Sequence, residues 1–570
     1  MFRLMTASAT ALVLSMTTAL PLAAQSIAGP YLAARSAAMQ SDFEQASTYF
    51  IQALARDPRN PALMESVVAS QLALGRVERA VPVAEALVAI DQNSQIADLV
   101  LTTDMILNED YDALVARTPA GQGVGPLVDG LIKAWALLGA GRANDALAAF
   151  DEVAEEPGLQ GFALYHKAMA LASVGDFEGA EEIFSADTTG TVVQTRRAVL
   201  ARAEILSQLE RDEDALQLLE RMFSGATDPE IEQVIEALNG ETPMPFRHIT
   251  SARDGFAEVF YSVAAALRNE AGPEYTILYA QVALTLRPDH VDGLLLTADL
   301  FDTLEQYDQA IAVYRQVPQA DPAYHVAELG RAEAMRRSGK PDAAIEVLEQ
   351  LTRSHGHLAT VHSSLGDALR QEDRFAEAVV AYNRAAALVE DHGGPSWFLY
   401  YARAISHERQ GNWEEAEADF RAALEINPGQ PQVLNYLGYS LVEKQIKLEE
   451  ALEMIERAVA ASPDSGYIID SLGWALYRLG RYEEAVPHME RAVELMAVDP
   501  VVNDHLGDVY WAVGRKREAE FQWQRALSFV DKNDPMSEAK PERIRRKLEV
   551  GLDAVLAEEG AEPLHLAREN

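Results

Sequence analysis

The run "HGHLATVH" places His355, His357 and His362 within eight residues. Neutral imidazole nitrogens are common ligands for zinc and copper. A zinc site would normally add cysteine thiolates or an HExxH pair on one helix face. This chain has no cysteine and no HExxH. The surrounding pattern puts His355 and His357 in a loop and His362 at the start of the next helix, so neither a metal nor another cofactor is expected. Carboxylate pairs such as Glu414–Glu415 and Glu483–Glu484 could in principle do acid–base work. Both pairs open a helix, where negative charge complements the helix dipole. There is no phosphate-binding glycine loop, no dinucleotide glycine pattern and no Gly-x-Ser-x-Gly turn. No catalytic residue is assigned, and the chain is not expected to be an enzyme. The competing reading, a metal-binding or enzymatic protein on a helical scaffold, rests on the three histidines alone.

What positions these residues is a helical framework in a strongly acidic chain. The 570 residues carry 88 acidic and 48 basic side chains, a net charge of -40. Such a surface repels nucleic acid, which proteins hold by neutralising phosphates with Lys and Arg. No nucleic-acid partner is expected. Absence of cysteine also removes disulfides and any lipid anchor on an N-terminal cysteine. Residues 1–24 read as a secretory signal peptide. Arg3 supplies the positive start, "LVLSMTTALPLAA" the short apolar core, and Leu22-Ala23-Ala24 the small-residue cleavage site. A periplasmic location follows as an expectation. No later run is apolar enough to cross a bilayer.

The rest of the chain repeats itself. A small alanine followed four residues later by a bulky residue recurs at Ala46, Ala80, Ala113, Ala146, Ala180 and Ala215. It resumes at Ala310, Ala344, Ala378, Ala416, Ala451, Ala485 and Ala519, with spacings of 33 to 38 residues. Within 466–499, Gly473 is small enough for a second helix to approach closely. Gly480 ends the first helix as a left-handed cap, and Ala485, Met489 and Ala492 share one face of the second. Pro58, Pro322, Pro428 and Pro463 stop second helices. Each hairpin leaves an apolar face that only a neighbour can cover, so the hairpins must stack.

A 34-residue period with this pattern resembles the tetratricopeptide repeat, from about Gly29 to Val530. The resemblance implies an all-α fold, a right-handed α-solenoid of helical hairpins. The expected organisation is a signal peptide (1–24), an N-terminal degenerate array (25–222), a junction (223–275), a C-terminal array (276–530) and a capping helix with tail (531–570). In the junction, "SGATDPEIEQVIEALNGETPMPFRH" marks either a boundary between two sub-arrays or an irregular unit of one superhelix. Thr276 takes the alanine position of the unit that follows. In the tail, Ile544, Leu548, Leu552 and Leu556 share a face, and the basic run from Lys540 to Lys547 reads as a solvated face with local Glu partners.

In this family the first helices line a groove. The resemblance places in it Phe398 and Tyr401; Asn435 and Tyr439; Tyr467, Asp470, Trp474, Tyr477 and Arg478; and Asp504, Asp508 and Trp511. Aromatic anchors with interspersed polar groups suit a peptide or a partner helix. The alternative is that some of these rings pack between adjacent first helices. The stretch "NYLGYSLVEKQIKLEEALEMIERAVAASPDSGYIIDSLGWALYRLGRYEEAVPHMERAVEL" followed by "HLGDVYWAVGRKREAEFQWQRAL" resembles long repeat proteins of Gram-negative cell envelopes. Some of these are outer-membrane lipoproteins that bind a periplasmic carboxyl-terminal processing protease and deliver substrates to it, including cell-wall hydrolases. This chain lacks their lipid-bearing cysteine. The resemblance thus implies a scaffold or adaptor with protein or peptide partners, a periplasmic protease or cell-wall hydrolase among them. A place in polysaccharide export or outer-membrane assembly is the variant reading.

Overall fold

The computed structural model describes residues 27–570, apart from 91–92, 118–122, 187–194, 224–227, 241, 393–395, 532–538, 562–563 and 565–570. The expected signal peptide lies outside the described residues. The described residues form helices and connections, with no strand among them. None of these helices is long and apolar enough to cross a membrane.

Two compact units are present, one running to Lys340 and the other beginning at Pro341. In the first, six hairpins come first. They pair α1 (Ala28–Met39) with α2 (Phe43–Leu54), α3 (Pro61–Ala73) with α4 (Val77–Val88), and α5 (Gln95–Leu107) with α6 (Tyr111–Ala116). The next pairs are α7 (Pro126–Gly139) with α8 (Ala143–Ala154), α9 (Gln160–Ser173) with α10 (Phe177–Ala186), and α11 (Arg196–Gln208) with α12 (Asp212–Phe223). A single helix, α13 (Pro229–Leu238), precedes α14 (Ala252–Leu267) and α15 (Pro273–Leu286). The hairpin of α16 (Val291–Thr303) and α17 (Tyr307–Tyr314) and the helix α18 (Tyr324–Arg337) complete this unit.

The second unit opens with α19 (Pro341–Ser354). Its hairpins pair α20 (Ala359–Gln371) with α21 (Phe375–His392), α22 (Trp397–Arg409) with α23 (Trp413–Ile426), and α24 (Pro431–Glu443) with α25 (Leu448–Ala461). Then come α26 (Gly466–Arg478) with α27 (Tyr482–Leu495), and α28 (Pro500–Ala512) with α29 (Lys516–Phe529). Two short helices follow, α30 (Pro541–Val550) and α31 (Leu552–Glu558).

The recurring alanines explain the stacking. All of them except Ala113 are buried, and Thr276 is buried in the same role. Ala113 is half-buried because α6 is only six residues long. Close approach also needs the first-helix glycines. A Cβ on Gly366 would stand 2.5 Å from the Tyr382 ring, and one on Gly438 would stand 2.7 Å from Ile455. Gly480, at φ +75, ends α26, and its neighbour Arg481 donates its N–H to the Leu476 carbonyl at 2.9 Å.

Two features differ from expectation. The sequence left 223–275 open as a boundary or an irregular unit, and the division into compact units lies elsewhere, between Lys340 and Pro341. Helices α14 and α15 instead fold into the first unit. There α14 packs on α5, α7 and α9, while α15 packs on α3 and α5. Gly255 abuts the Trp135 ring, Phe256 stacks on Tyr111 at 6.2 Å, and Gln281 donates to the Ala73 carbonyl at 3.0 Å. The face shared by those first helices is therefore covered by the chain's own hairpin. Secondly, the expected single capping helix is broken at Gly551, which at φ +85 separates α30 from α31.

Candidate protein-interaction groove

In the second unit, α20 touches α22, α24 touches α26 and α26 touches α28, and the rings of Tyr401 and Tyr436 join α22 to α24. Helical spacing brings Asn435, Asp470 and Asp504 to the same place on α24, α26 and α28. Each meets a different fate. Asp470 is buried and accepts from His505 Nδ1 at 3.0 Å. Asp504 is buried against Lys547 Nζ at 2.9 Å. Asn435 is only 8% exposed, and its Oδ1 has no hydrogen-bond partner.

The aromatic residues divide in the same way. Phe398 and Tyr467 are 44% and 48% exposed. Tyr401 is half-buried, 6.1 Å from both Phe420 and Tyr436, and so works as packing between α22 and α24. Burial, and then the neighbouring Tyr467, raise its pKa. Tyr477 is only 8% exposed, and burial holds its hydroxyl well above the usual range. Trp474 is half-buried in a stack, 4.8 Å from Tyr477 and 4.0 Å from His505, and donates Nε1–H to Glu443 at 2.7 Å. Arg478 and Tyr439 are half-buried. Thus Phe398, Asn435, Tyr439, Tyr467, Trp474 and Arg478 form the part of the expected groove with surface or bonding capacity left over.

The far end is occupied. Asp508 accepts from Lys547 Nζ at 2.6 Å and from Trp523 Nε1 at 2.9 Å, and Trp511 donates to Asp553 at 2.9 Å. Asp504, Asp508 and Trp511 therefore face α30 and α31. Most of the basic run does find local acids: Arg543 meets Glu559, Arg546 meets Glu549 and Glu558, and Arg545 meets Glu542. Lys547 is the exception, fully buried. The signal was present in the sequence, because Lys547 sits three residues after Ile544 and so on the apolar stripe.

Sequence reasoning also missed a cavity of about 330 Å³ beside Tyr439. Tyr436, Tyr439, Glu408, Arg409, Glu443 and Lys444 line it. Its charges balance, which suits an amphipathic side chain of a partner more than a bare ion.

Between α9, α11 and α14, buried Glu258 pairs with Arg197 at 2.8 Å and accepts from the Tyr165 hydroxyl at 2.7 Å. Nearby, His166 lies 3.1 Å from the Ser262 hydroxyl. This is not an activated serine. Trp135 Nε1–H donates to His166 Nδ1 at 3.3 Å, so the ring proton is on Nε2 and points at Ser262. The serine in turn donates to the Val259 carbonyl at 3.0 Å. A histidine that donates to a serine cannot take its proton. Among the described residues no three His, Asp or Glu side chains are grouped to hold a metal. His362 Nε2 contacts the Gly356 carbonyl at 3.1 Å, and His355 Nδ1 the Ser354 hydroxyl at 2.9 Å.

Comparison with known proteins agrees with this architecture. Family models described as tetratricopeptide repeat match residues 31–94, 133–189, 303–367, 401–466 and 468–496. The chain carries tetratricopeptide repeats. The TPR repeat-containing protein PA4667 of Pseudomonas aeruginosa is 27% identical over 180 residues, 31% of this chain and 30% of that protein. TPR repeat-containing protein YpiA of Bacillus subtilis is 23% identical over 220 residues, 38% of this chain and 51% of its own. The tetratricopeptide match thus spans under a third of the first relative's length and about half of the second's. Among solved structures, the APC/C hetero-tetramer Cut9-Hcn1 aligns over 91% of this chain and 96% of that one, at 15% identity and a TM-score of 0.38. YrrB, described as a TPR protein with an unusual peptide-binding site, aligns over 33% of this chain and 95% of its own, at 17% identity and a TM-score of 0.27.

Proposed function

We propose that this tetratricopeptide repeat protein is a non-enzymatic scaffold that takes a peptide or helix of a partner protein on the second unit, between Phe398 and Trp474. The observation that carries the reading is Asn435. Its recurring position meets a base in the next two repeats, yet here Oδ1 is buried without a partner. An unsatisfied buried polar atom costs about 1–3 kcal/mol. A partner N–H that reached it would recover that, and half-exposed Phe398 on α22 and Tyr467 on α26 would serve as apolar anchors.

The finer reading places the protein in the periplasm, presenting substrates such as cell-wall hydrolases to a carboxyl-terminal processing protease. It is supported by the signal-like residues 1–24 and by the resemblance of the C-terminal repeats to envelope proteins. Without the lipid-bearing cysteine, the role would be performed by a protein without that anchor.

The test is affinity capture with crosslinking from a periplasmic extract, comparing the tagged wild-type protein with the Phe398→Ala/Tyr467→Ala double variant. Both side chains are about half exposed, so the variant should keep its helicity. Wild-type capture of a processing protease or hydrolase, lost with the variant, is the expected result. Export or assembly components would keep the groove and change the pathway. Equal capture by the variant would refute the groove, and uncleaved protein in the cytoplasm would refute the location.

A further inference from the structure

The last hairpin is held by the chain's own C-terminal helices in the way a groove holds a ligand. Lys547 Nζ shares its three N–H groups over four carboxylate oxygens, those of Asp504 at 2.9 and 3.0 Å and those of Asp508 at 2.6 and 2.8 Å. The ammonium lies 5.7 Å from the centre of the Trp523 ring, whose Nε1–H is itself bound to Asp508. Arg543 stands 3.7 Å from Asp508 at the rim. Aliphatic contacts flank the lysine. Ile544 and Leu552 are fully buried, and Leu548 packs against the same core. Asp553 adds the hydrogen bond to Trp511.

A helix that only hid apolar surface would carry an aliphatic side chain at position 547. Well-packed apolar replacements of buried ion pairs are often neutral or stabilising. What the charged cluster supplies is selectivity. Any helix without a cation at that point would bury two carboxylates unpaired, a strong penalty against the wrong occupant. The occupant is also a self-contained piece. Arg543–Glu559 and Arg546–Glu558 tie α30 to α31 independently of the array.

We infer that the inner face of α28 is a receptor for a lysine-bearing amphipathic helix, closed by α30 in the free chain, and that a partner helix of this kind binds there by displacing α30 and α31. The matching ligand has aliphatic residues three before, one after and five after the lysine, as Ile544, Leu548 and Leu552 stand to Lys547. This site is separate from the Phe398–Trp474 surface, and either can fail without the other.

The experiment uses the full chain, its Lys547→Met variant and two synthetic peptides, residues 540–560 with Lys or with Met at 547. Hydrogen exchange of the Lys547→Met chain should show lost protection in α30 and α31 alone, with α20 to α29 unchanged. That chain should bind the Lys peptide at least tenfold more tightly than the Met peptide, and at least tenfold more tightly than the wild-type chain does. A third chain, Asp504→Asn/Asp508→Leu/Lys547→Met, should regain protection in α30 and lose peptide binding. Unchanged protection in the Lys547→Met chain, equal affinity for the two peptides, or global unfolding of that chain would each overturn the inference. In the last case the helices would be part of the core and not a displaceable ligand. Wild-type exchange in which α30 and α31 open only with the whole unit would overturn it too.

Discussion

Every first helix of the hairpins except α14 ends in a left-handed residue that turns the chain into its partner, and the sequence fills that place unevenly. Gly480 and Gly514 occupy it at φ +75 and +81, where glycine has no Cβ to clash. Glu210, Glu305, Asp373 and Gln445 occupy the equivalent place at φ +56 to +58. A non-glycine residue there costs roughly 1 kcal/mol. Glu305 is exposed, and its backbone turn is closed by the Gln306 N–H on the Phe301 carbonyl at 2.8 Å. Glu305→Gly should therefore stabilise the first unit by about 1 kcal/mol. Chemical denaturation followed by circular dichroism would read this, and a lower midpoint would mean that the glutamate makes a contact worth more than the strain.

At the scale of elements, the helix crossing is set by a glycine opposite a bulky second-helix residue. Gly507 faces fully buried Trp523, whose Nε1–H is fixed on Asp508. The ring cannot retreat without losing that bond, so Gly507→Ala should destabilise the second unit by about 1–3 kcal/mol. Gly473→Ala should cost less, because its neighbour Met489 is a flexible side chain. Unfolding of the two variants side by side would check the order. This layer was legible in the sequence, since the Gly–Ala–bulky spacing states the crossing directly. The groove was legible only in part. Helical spacing can say that Tyr477, Asp470 and Asp504 point to one side of their helices, but not what stands opposite. His505 comes from the next repeat and Lys547 from beyond the array, so the burial of these groups is a long-range outcome. In the same way α14 and α15 read as one more repeat through Thr276, Ala280 and Ala283. Nothing local in them announces that they cover α3, α5, α7 and α9.

For the whole molecule, the most buried ionisable cluster of each unit responds to acid in the opposite sense, around His166 and Glu258 in the first and around Asp504 and Asp508 in the second. Burial lowers the pKa of half-buried His362 and His488 of the second unit as well. In the first unit, burial lowers the pKa of His166 from 6.5 to about 4, and burial also lowers that of His290. The groups around them are Trp135, Tyr165, Arg197, Glu258, Tyr261, Ser262 and Asp292. A histidine whose folded pKa is depressed contributes stability that is present above about 6.5 and is lost as pH falls towards 4. For His166 the loss by pH 4.5 is about 2–3 kcal/mol. Glu258 acts in a lower window. Desolvation pushes it up, but the charges and hydrogen bonds of Arg197 and His290 together hold it well below 4.5, so its contribution is lost only as pH falls beneath that value. In the second unit, burial raises the pKa of Asp504 above 3.8. A carboxylate with a raised folded pKa opposes folding as pH rises through that pKa, so acidification relieves it. Between pH 6.5 and 4.5 the first unit should thus lose stability while the Asp504 cluster does not contribute to a loss. Hydrogen exchange at pH 6.5, 5.5 and 4.5, corrected for intrinsic rates, would follow the units separately. His166→Gln, which can accept from Trp135 and donate to Ser262 without titrating in this range, should flatten the response of α9 and α14. If α9 and α14 stay equally protected in the wild-type chain down to pH 4.5, the buried imidazole is not what couples this unit to pH.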